Sequence, residues 1–264
     1  MKSILPIGLS PFDDRRALGA ELADLQIMLA RQFLREVRSD LFDDPVAERI
    51  YSAMRLVRRD NGHHAPRNVA LLFFAEEPSR WFRGAVIEAA VFADGAGGET
   101  IEEQRFTGPL PFQLRQALTW LEGRSVRRIE KQATRPEARA WVSYPALALR
   151  EALVNAVYHR SYEDSVEPTK VYVYPDRIEV ISYPGPVDGL EAEHFASDAA
   201  VPPVPARNRR IGELLKELRL AESRGTGVPK IRRAMHDNGS PPPRFDFDHA
   251  RSYFRVTLPV YRGD

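Results

Sequence analysis

The chain has no cysteine among its 264 residues. Disulfide frameworks, thiolate zinc sites and cysteine nucleophiles are therefore excluded, and the composition suits a reducing cytoplasm. No apolar run approaches 18 residues and the N-terminus has no signal-like pattern, so neither a membrane span nor secretory export is expected. An excess of one charge is missing too: 38 basic residues face 37 acidic ones, for a net +1. Nothing global drives this protein toward nucleic acid, and any such binding has to be local. Histidine is scarce, and the pair His63-His64 has no spaced carboxylate or histidine partner that would define a metal site; it reads as an exposed loop.

With 43% hydrophobic and 28% charged residues the composition is that of a globular chain, long enough for two ordinary domains with real cores. Pro11 to Arg15 is a polar, turn-like entry. The spacing of Leu22, Leu25, Met28, Leu29, Phe33, Leu34 and Val37 then predicts an amphipathic helix. A second helix is expected from Pro45 to Arg58, ended by Asn61-Gly62. The apolar run Val69 to Phe74 and the stretch Ala85 to Phe92 read as buried strands either side of a Glu77 to Arg80 turn. A further helix is expected from about Pro111 to Leu121, with the option of continuing to Ile129. Arg124, Arg127, Arg128 and Lys131 form a basic patch, read as a solvated helix end or a nucleic-acid contact. In the second half, Val171 to Tyr174 and Ile178 to Ile181 alternate as a hairpin, and Arg251 to Val260 supplies another strand. Residues 184 to 206 carry many prolines and are too long for an ordinary connection, so they are expected to form a loop with a short helix around Glu191 to Phe195.

Residues 151 to 160 put a carboxylate and a carboxamide, Glu151 and Asn155, one helical turn apart in an otherwise mostly apolar stretch. Such a pair beside a triphosphate needs Mg²⁺ to screen repulsion, with the carboxylate polarising a water and the amide oxygen serving as a hard ligand. A solvated Glu151 and an Asn155 that satisfies a nearby backbone group are the plainer alternative. The glycine-rich stretch Arg224 to Ile231 runs into a second helix. Its glycines can approach phosphates and the helix offers unpaired amides, or Gly225 and Gly227 simply end the preceding helix, Ile211 to Leu220. At the start of that helix, Asn208 is a good N-cap, and Arg207 either reaches phosphate or joins a solvated face. His159 lies near a helix end, where it most simply meets the end carbonyls.

Five blocks, in order, carry a resemblance: Arg150 to Ala156 with His159-Arg160; Asp176 to Pro186; Arg207-Asn208; Gly225-Thr226-Gly227; and Phe254 to Pro259. Residues 145 to 264 resemble the Bergerat ATP-binding fold of the GHKL superfamily, and within it the divergent ATPase domain of bacterial RecG-like or Schlafen-AlbA-associated transcriptional regulators. The resemblance implies an α/β (α+β) fold, with a C-terminal two-layer sandwich of mixed sheet and helices behind a smaller α+β domain and a boundary near residue 144. Residues 1 to 144 resemble the segment that follows the AlbA-like domain in those regulators, through Pro11 to Arg15, Arg67 to Phe74 with Pro78, and Gly108 to Leu110. The AlbA-like domain itself is expected to be missing, or supplied by a partner.

By that resemblance Glu151 is the general base, Asn155 the Mg²⁺ ligand, and Gly225, Thr226, Gly227 and Val228 the phosphate loop, with ATP and Mg²⁺ as cofactors. The superfamily reads adenine with an aspartate in a D-x-G-x-G turn. Here Ser182-Tyr183-Pro184-Gly185-Pro186 stands in that place, leaving Ser182, Tyr183 or a backbone carbonyl as substitutes. Asp188 is too far along to be a good reader. Residues 184 to 206 become an ATP lid or a static excursion. The implied function is a Mg-ATP-binding regulatory switch with slow hydrolysis. The alternative is a DNA-associated regulator or interaction module whose site does not hydrolyse. A homodimer, an effector or DNA-binding partner, and direct nucleic-acid binding are left open, and no helix presents a recognisable phosphoacceptor histidine.

Overall fold

The computed structural model describes residues 10–60, 62–130, 139–163, 165–196, 201–202, 204–221 and 227–262. In chain order, α1 (Ile27–Glu36) and α2 (Ala47–Ala53) precede a hairpin of β1 (Val57–Asp60) and β2 (His63–Pro66), then α3 (Asn68–Phe74). Strands β3 (Ile87–Phe92) and β4 (Thr100–Phe106) lead to α4 (Leu110–Glu122), a second hairpin of β5 (Arg127–Glu130) and β6 (Arg139–Val142), and α5 (Ala146–His159). There follow β7 (Thr169–Val173), β8 (Arg177–Ser182), α6 (Ala192–Ala196), α7 (Arg209–Glu217), α8 (Gly227–Asn238), β9 (Arg244–Asp246) and β10 (Phe254–Pro259).

Six strands form one mixed sheet in the order β4-β3-β7-β8-β10-β9. Strands β3 and β7 run parallel, Ile87 opposite Thr169 and Val91 opposite Val173, and the remaining neighbours are antiparallel. A parallel pair needs a long crossover, and here it carries α4 and α5 onto the sheet, where α4 packs on β3 and α5 on β8 and β10. The result is a mixed α+β, two-layer arrangement. The sheet spans the expected boundary near residue 144, since β3 and β4 come from before it and the other four strands from after it.

One hydrophobic core joins these layers. Alternate residues of the strands point into it, among them Ile87, Ala89, Val171, Val173, Ile178, Val180, Val256 and Leu258. They meet Leu114 and Leu121 of α4 and Leu149, Ala152 and Leu153 of α5, all fully buried. Emptying such a site, as in Leu153→Ala, costs about 2–5 kcal/mol.

Several sequence expectations are corrected. Residues 69 to 74 are a helix, α3, rather than a strand, and every one of them is buried. A short, wholly apolar run shows neither the two-residue nor the 3.6-residue period, so burial on all sides hides the choice. The helix expected from Pro45 to Arg58 is only α2; Arg55 turns the chain at φ 55°, and Val57 already begins β1. Gly62 at φ 87° belongs to the β1–β2 hairpin, so His63 and His64 lie in a strand and not in a loop. Helix α4 stops at Glu122 and does not reach Ile129, which is in β5.

The blocks Pro11 to Arg15, Arg67-Asn68 and Arg207-Asn208 converge. The Asn68 amide donates to Phe12 O at 2.8 Å, and Arg67 meets the Asp14 carboxylate at 2.7 Å. Asp13, fully buried, accepts from the backbone N–H of Ile211 at 2.9 Å and so caps the first turn of α7. This corrects the assignment of Asn208 as a side-chain cap: Asn208 occupies the N-cap position but its amide donates to Tyr158 O and Arg160 O, closing the end of α5 instead. Burial pushes the Asp13 carboxyl up to about 6, against the pull of the amide hydrogen bonds from Ile211 and Arg210.

Because the folded value lies above the ordinary 3.8, protonation favours the native state, and this group's contribution to stability is lost as pH rises from about 4 to 6. The change is on the order of 2–3 kcal/mol. Asp13→Asn keeps an acceptor for the Ile211 amide and removes the ionisation. Its stability relative to wild type, by urea unfolding, is expected to improve by that order between pH 4 and pH 7. A difference that does not vary with pH would contradict the buried, titrating carboxyl.

Candidate functional site

Helix α5 starts after Pro145, whose missing N–H costs nothing at a helix start. Leu and Ala make up half of it, and Ala148, Leu149, Ala152, Leu153, Ala156 and Val157 are all buried. Along one edge, at four-residue spacing, stand Glu151, Asn155 and His159. That edge faces α8 and the start of α7.

Glu151 is 7% exposed and lies 3.8 Å from the Lys230 ammonium of α8. One turn on, Asn155 packs against Gly227, the first residue of α8. A Cβ at position 227 would collide with the Asn155 side-chain amide, whose Cγ and Oδ1 would both lie 3.1 Å away. At the end of α5, Arg207 donates to His159 O and, at 3.2 Å, to Gly185 O. The structure thus brings Glu151, Asn155, Gly227, Arg207 and Gly185 along one seam, from the middle of α5 to its end. Val228 sits next to Gly227 on α8 but lines the other flank of that helix. Gly225 and Thr226 lie outside the described residues.

The turn at 182 to 186 approaches this end of α5 through Tyr183, whose carbonyl accepts from Ser161 N at 2.9 Å. Ser182 is 3% exposed and pairs with Phe254 in the sheet. Gly185 donates its N–H to Arg251 O at 2.7 Å, and a Cβ there would meet Tyr253 O at 2.8 Å. The close approach that this glycine permits is to the protein's own 251–253 segment. Arg251 also donates to Leu190 O at 2.7 Å and to Glu191 at 2.7 Å, so the first part of the 184 to 206 segment is held down, and Phe195 of α6 packs among Phe245, Phe247 and Phe254.

Neighbouring residues of the same blocks are structural. Arg160 is 1% exposed and donates to Glu167 O at 2.6 Å and to Thr169 Oγ1 at 3.3 Å. Burial lowers the pKa of its guanidinium, which Tyr162 and Glu167 partly offset. Of the basic patch, Arg124 stacks on Trp120 and pairs with Glu102, while the Arg128 side chain and Lys131 lie outside the described residues. His64 comes within 3.9 Å of Glu48.

Residues 167–258 match the family model described as "Putative ATP-dependent DNA helicase recG C-terminal". Over these residues the chain is similar to a RecG-type, ATPase-like domain. The matched residues begin beyond α5, so Glu151 and Asn155 lie outside them, while Lys230, Gly227 and the 182 to 186 turn lie within. The crystal structure of the DIP2311 protein from Corynebacterium diphtheriae is similar over 97% of this chain, with a TM-score of 0.70 and 22% identity, which is a likeness of fold. The chain spans about half of that structure, 48% of its length. No curated protein matches. No helix among the described residues is long and apolar enough to cross a membrane.

In the RecG-like segment two contributors escaped the sequence reading. Lys230 follows Gly227 by three residues, so both project toward α5, a relation visible once the helix is known to start at Gly227. Arg251 has no local signal; its partners are about 60 residues away.

The tight Asn155–Gly227 contact makes a direct test. Gly227→Ala is expected to cost about 1–3 kcal/mol through overpacking. Combining it with Asn155→Ala should remove most of that cost in a double-mutant cycle. Strict additivity in thermal unfolding would mean that α5 and α8 do not meet at these residues.

Proposed function

We propose that the chain binds Mg-ATP at the seam between α5 and the N-terminus of α8, and uses the nucleotide as a regulatory switch with slow hydrolysis. The observation that carries this reading is the meeting of Glu151 and Asn155 with Gly227 and Lys230 beside the first turn of a 12-residue helix. A lysine and the open amides of a helix start suit phosphate oxygens, and a carboxamide oxygen suits a hard cation. Pro229 contributes no N–H, which leaves Gly227, Val228 and Lys230 as the nearest backbone donors.

The donor chemistry fits the cofactors, with a condition on each. Among the described residues no three His, Cys, Asp or Glu side chains gather to hold a metal by themselves. Magnesium commonly binds through one or two protein oxygens plus substrate phosphates and water. Asn155, with Glu151 beside it, would hold the ion together with the nucleotide, and the ion would screen phosphate charge from Glu151. The space is tighter, because Asn155 touches Gly227 directly. Entry of a nucleotide therefore requires the first turn of α8 to ease away from α5, which is the movement that makes the site a switch.

Specific observations also favour the second reading, a DNA-associated or interaction module that binds without hydrolysing. Lys230 stands on Glu151 as a counter-charge, which opposes its service as a base. The turn at 182 to 186 has no aspartate to read adenine, and Gly185 is packed on Tyr253.

Calorimetry with ATP, with and without Mg²⁺, separates these readings when phosphate release is followed in the same samples. Wild type is expected to bind. Asn155→Ala should lose the Mg²⁺-dependent gain, tenfold or more, and Glu151→Gln should bind but release no phosphate. Binding without release by wild type would favour the second reading, and failure of wild type to bind any adenine nucleotide would overturn the first and leave the fold as an interaction scaffold.

A further inference from the structure

On the flank of α8 away from α5, a groove of about 1110 Å³ opens between this helix and the edge of the sheet. It is lined by Arg177, Arg232, Arg233, Arg244 and Arg255 against two carboxylates, Glu179 and Asp246. In a chain that balances 38 basic with 37 acidic residues, this is a local concentration of positive charge. The carboxylates offset two of the five arginines and leave the others. Glu179 is 6% exposed and held by Arg177 at 2.7 Å, and Asp246 is held by Arg255 at 2.7 Å. Arg233 and Arg244 are exposed, and among the described residues their side chains make no hydrogen bond, ion pair or ring contact.

The groove wraps the edge strand β9, whose residues point alternately to the two faces of the sheet. Arg244 sits opposite Thr257, itself beside Glu179, on the face away from the helices. Phe245 sits opposite Val256 on the helix side, where the Arg232 guanidinium lies 5.4 Å over its ring and Phe195 packs beside it. Cationic heads therefore alternate with a half-buried aromatic wall. A small polyphosphate would satisfy the arginines and leave the wall unused, and a duplex would present phosphates but hide its bases. An open strand offers both, since phosphates pair with guanidinium groups and every base has a face to stack.

We propose that this groove binds single-stranded nucleic acid, with Arg233 and Arg244 contacting phosphates and a base stacking on the Arg232 guanidinium that covers the Phe245 ring. The site is separate from the nucleotide seam: on α8, Gly227 and Lys230 turn toward α5, while Arg232 and Arg233 line the groove. It stands whether or not ATP binds.

Fluorescence anisotropy of a labelled 12-nucleotide oligothymidylate, titrated with the full chain at 50 and 200 mM salt, tests it. Wild type is expected to bind at the lower salt and to weaken steeply at the higher. Arg233→Ala/Arg244→Ala should lose at least tenfold in affinity with a shallower salt dependence and an unchanged melting temperature, because neither side chain has a partner to lose among the described residues. Asn155→Ala should bind the oligonucleotide as wild type does, which separates this site from the nucleotide reading. No binding at 50 mM salt, or full binding by the double arginine variant, would overturn the proposal. So would displacement of the strand by inorganic triphosphate at equal concentration, or by duplex DNA as readily as by unlabelled single strand.

Discussion

Everything in this molecule is arranged around α5, a helix with neighbours on several sides. The sheet lies beneath it, α4 and α8 pack beside it, and α7 comes against its end, where Gly212 leaves room for the Tyr158 ring. A helix so enclosed has to be apolar almost throughout, since an unpaired buried polar group costs about 1–3 kcal/mol. Its polar positions therefore have to be answered by something. Glu151 is answered by Lys230, Asn155 packs on Gly227, and the end carbonyls of Tyr158, His159 and Arg160 are answered by Asn208 and Arg207. Those contacts set where α8 and α7 must sit. The seam with the site chemistry is thus also the seam that orders the C-terminal helices.

The same logic links the first residues to the last third of the chain. Asp13 caps α7 from nearly 200 residues away and is buried in doing so, with its pKa raised as a result. Asp14 and Arg67 tie that entry segment to the start of α3. Since α7 carries Asn208 at its start, a contact made by residues 13 and 14 bears on how α5 ends. With β3 and β4 completing the sheet, the N-terminal part is built into the frame that holds the seam.

Elements with a clear period were legible in the sequence. The alternation in 171 to 181 gives the β7–β8 hairpin, and the apolar spacing from Leu22 to Val37 gives α1, because each has one wet face and one dry one. The helix is shorter than that spacing, Ile27–Glu36, with Leu22–Asp24 in a separate turn and Met28 exposed. Residues 69 to 74 have no wet face, so their pattern carries no period and their helical state emerges only from packing. Strand β9 is three residues long and has no recognisable signal before its pairing with β10 is seen. At the site, the four-residue spacing of Glu151 and Asn155 puts both on one edge of α5, and the stretch 224 to 231 was legible as a glycine-rich loop running into a helix, though not that Gly227 is that helix's first residue. Lys230 and Arg251 were not, because their roles depend on contacts between segments distant in sequence. Charge tells the same story at larger scale. A net of +1 conceals a groove in which five arginines meet two carboxylates, since a sum over the chain says nothing about where the fold gathers its charges.

The central claim is that the α5–α8 seam is where a nucleotide engages the protein. Amide hydrogen exchange read by mass spectrometry, with and without saturating Mg-ATP, tests it most directly. The account expects added protection concentrated in the second half of α5 and the first turn of α8, with little change in β3, β4 and α3. No change in either helix, or protection confined to β9 and the arginine-lined flank of α8, would contradict it.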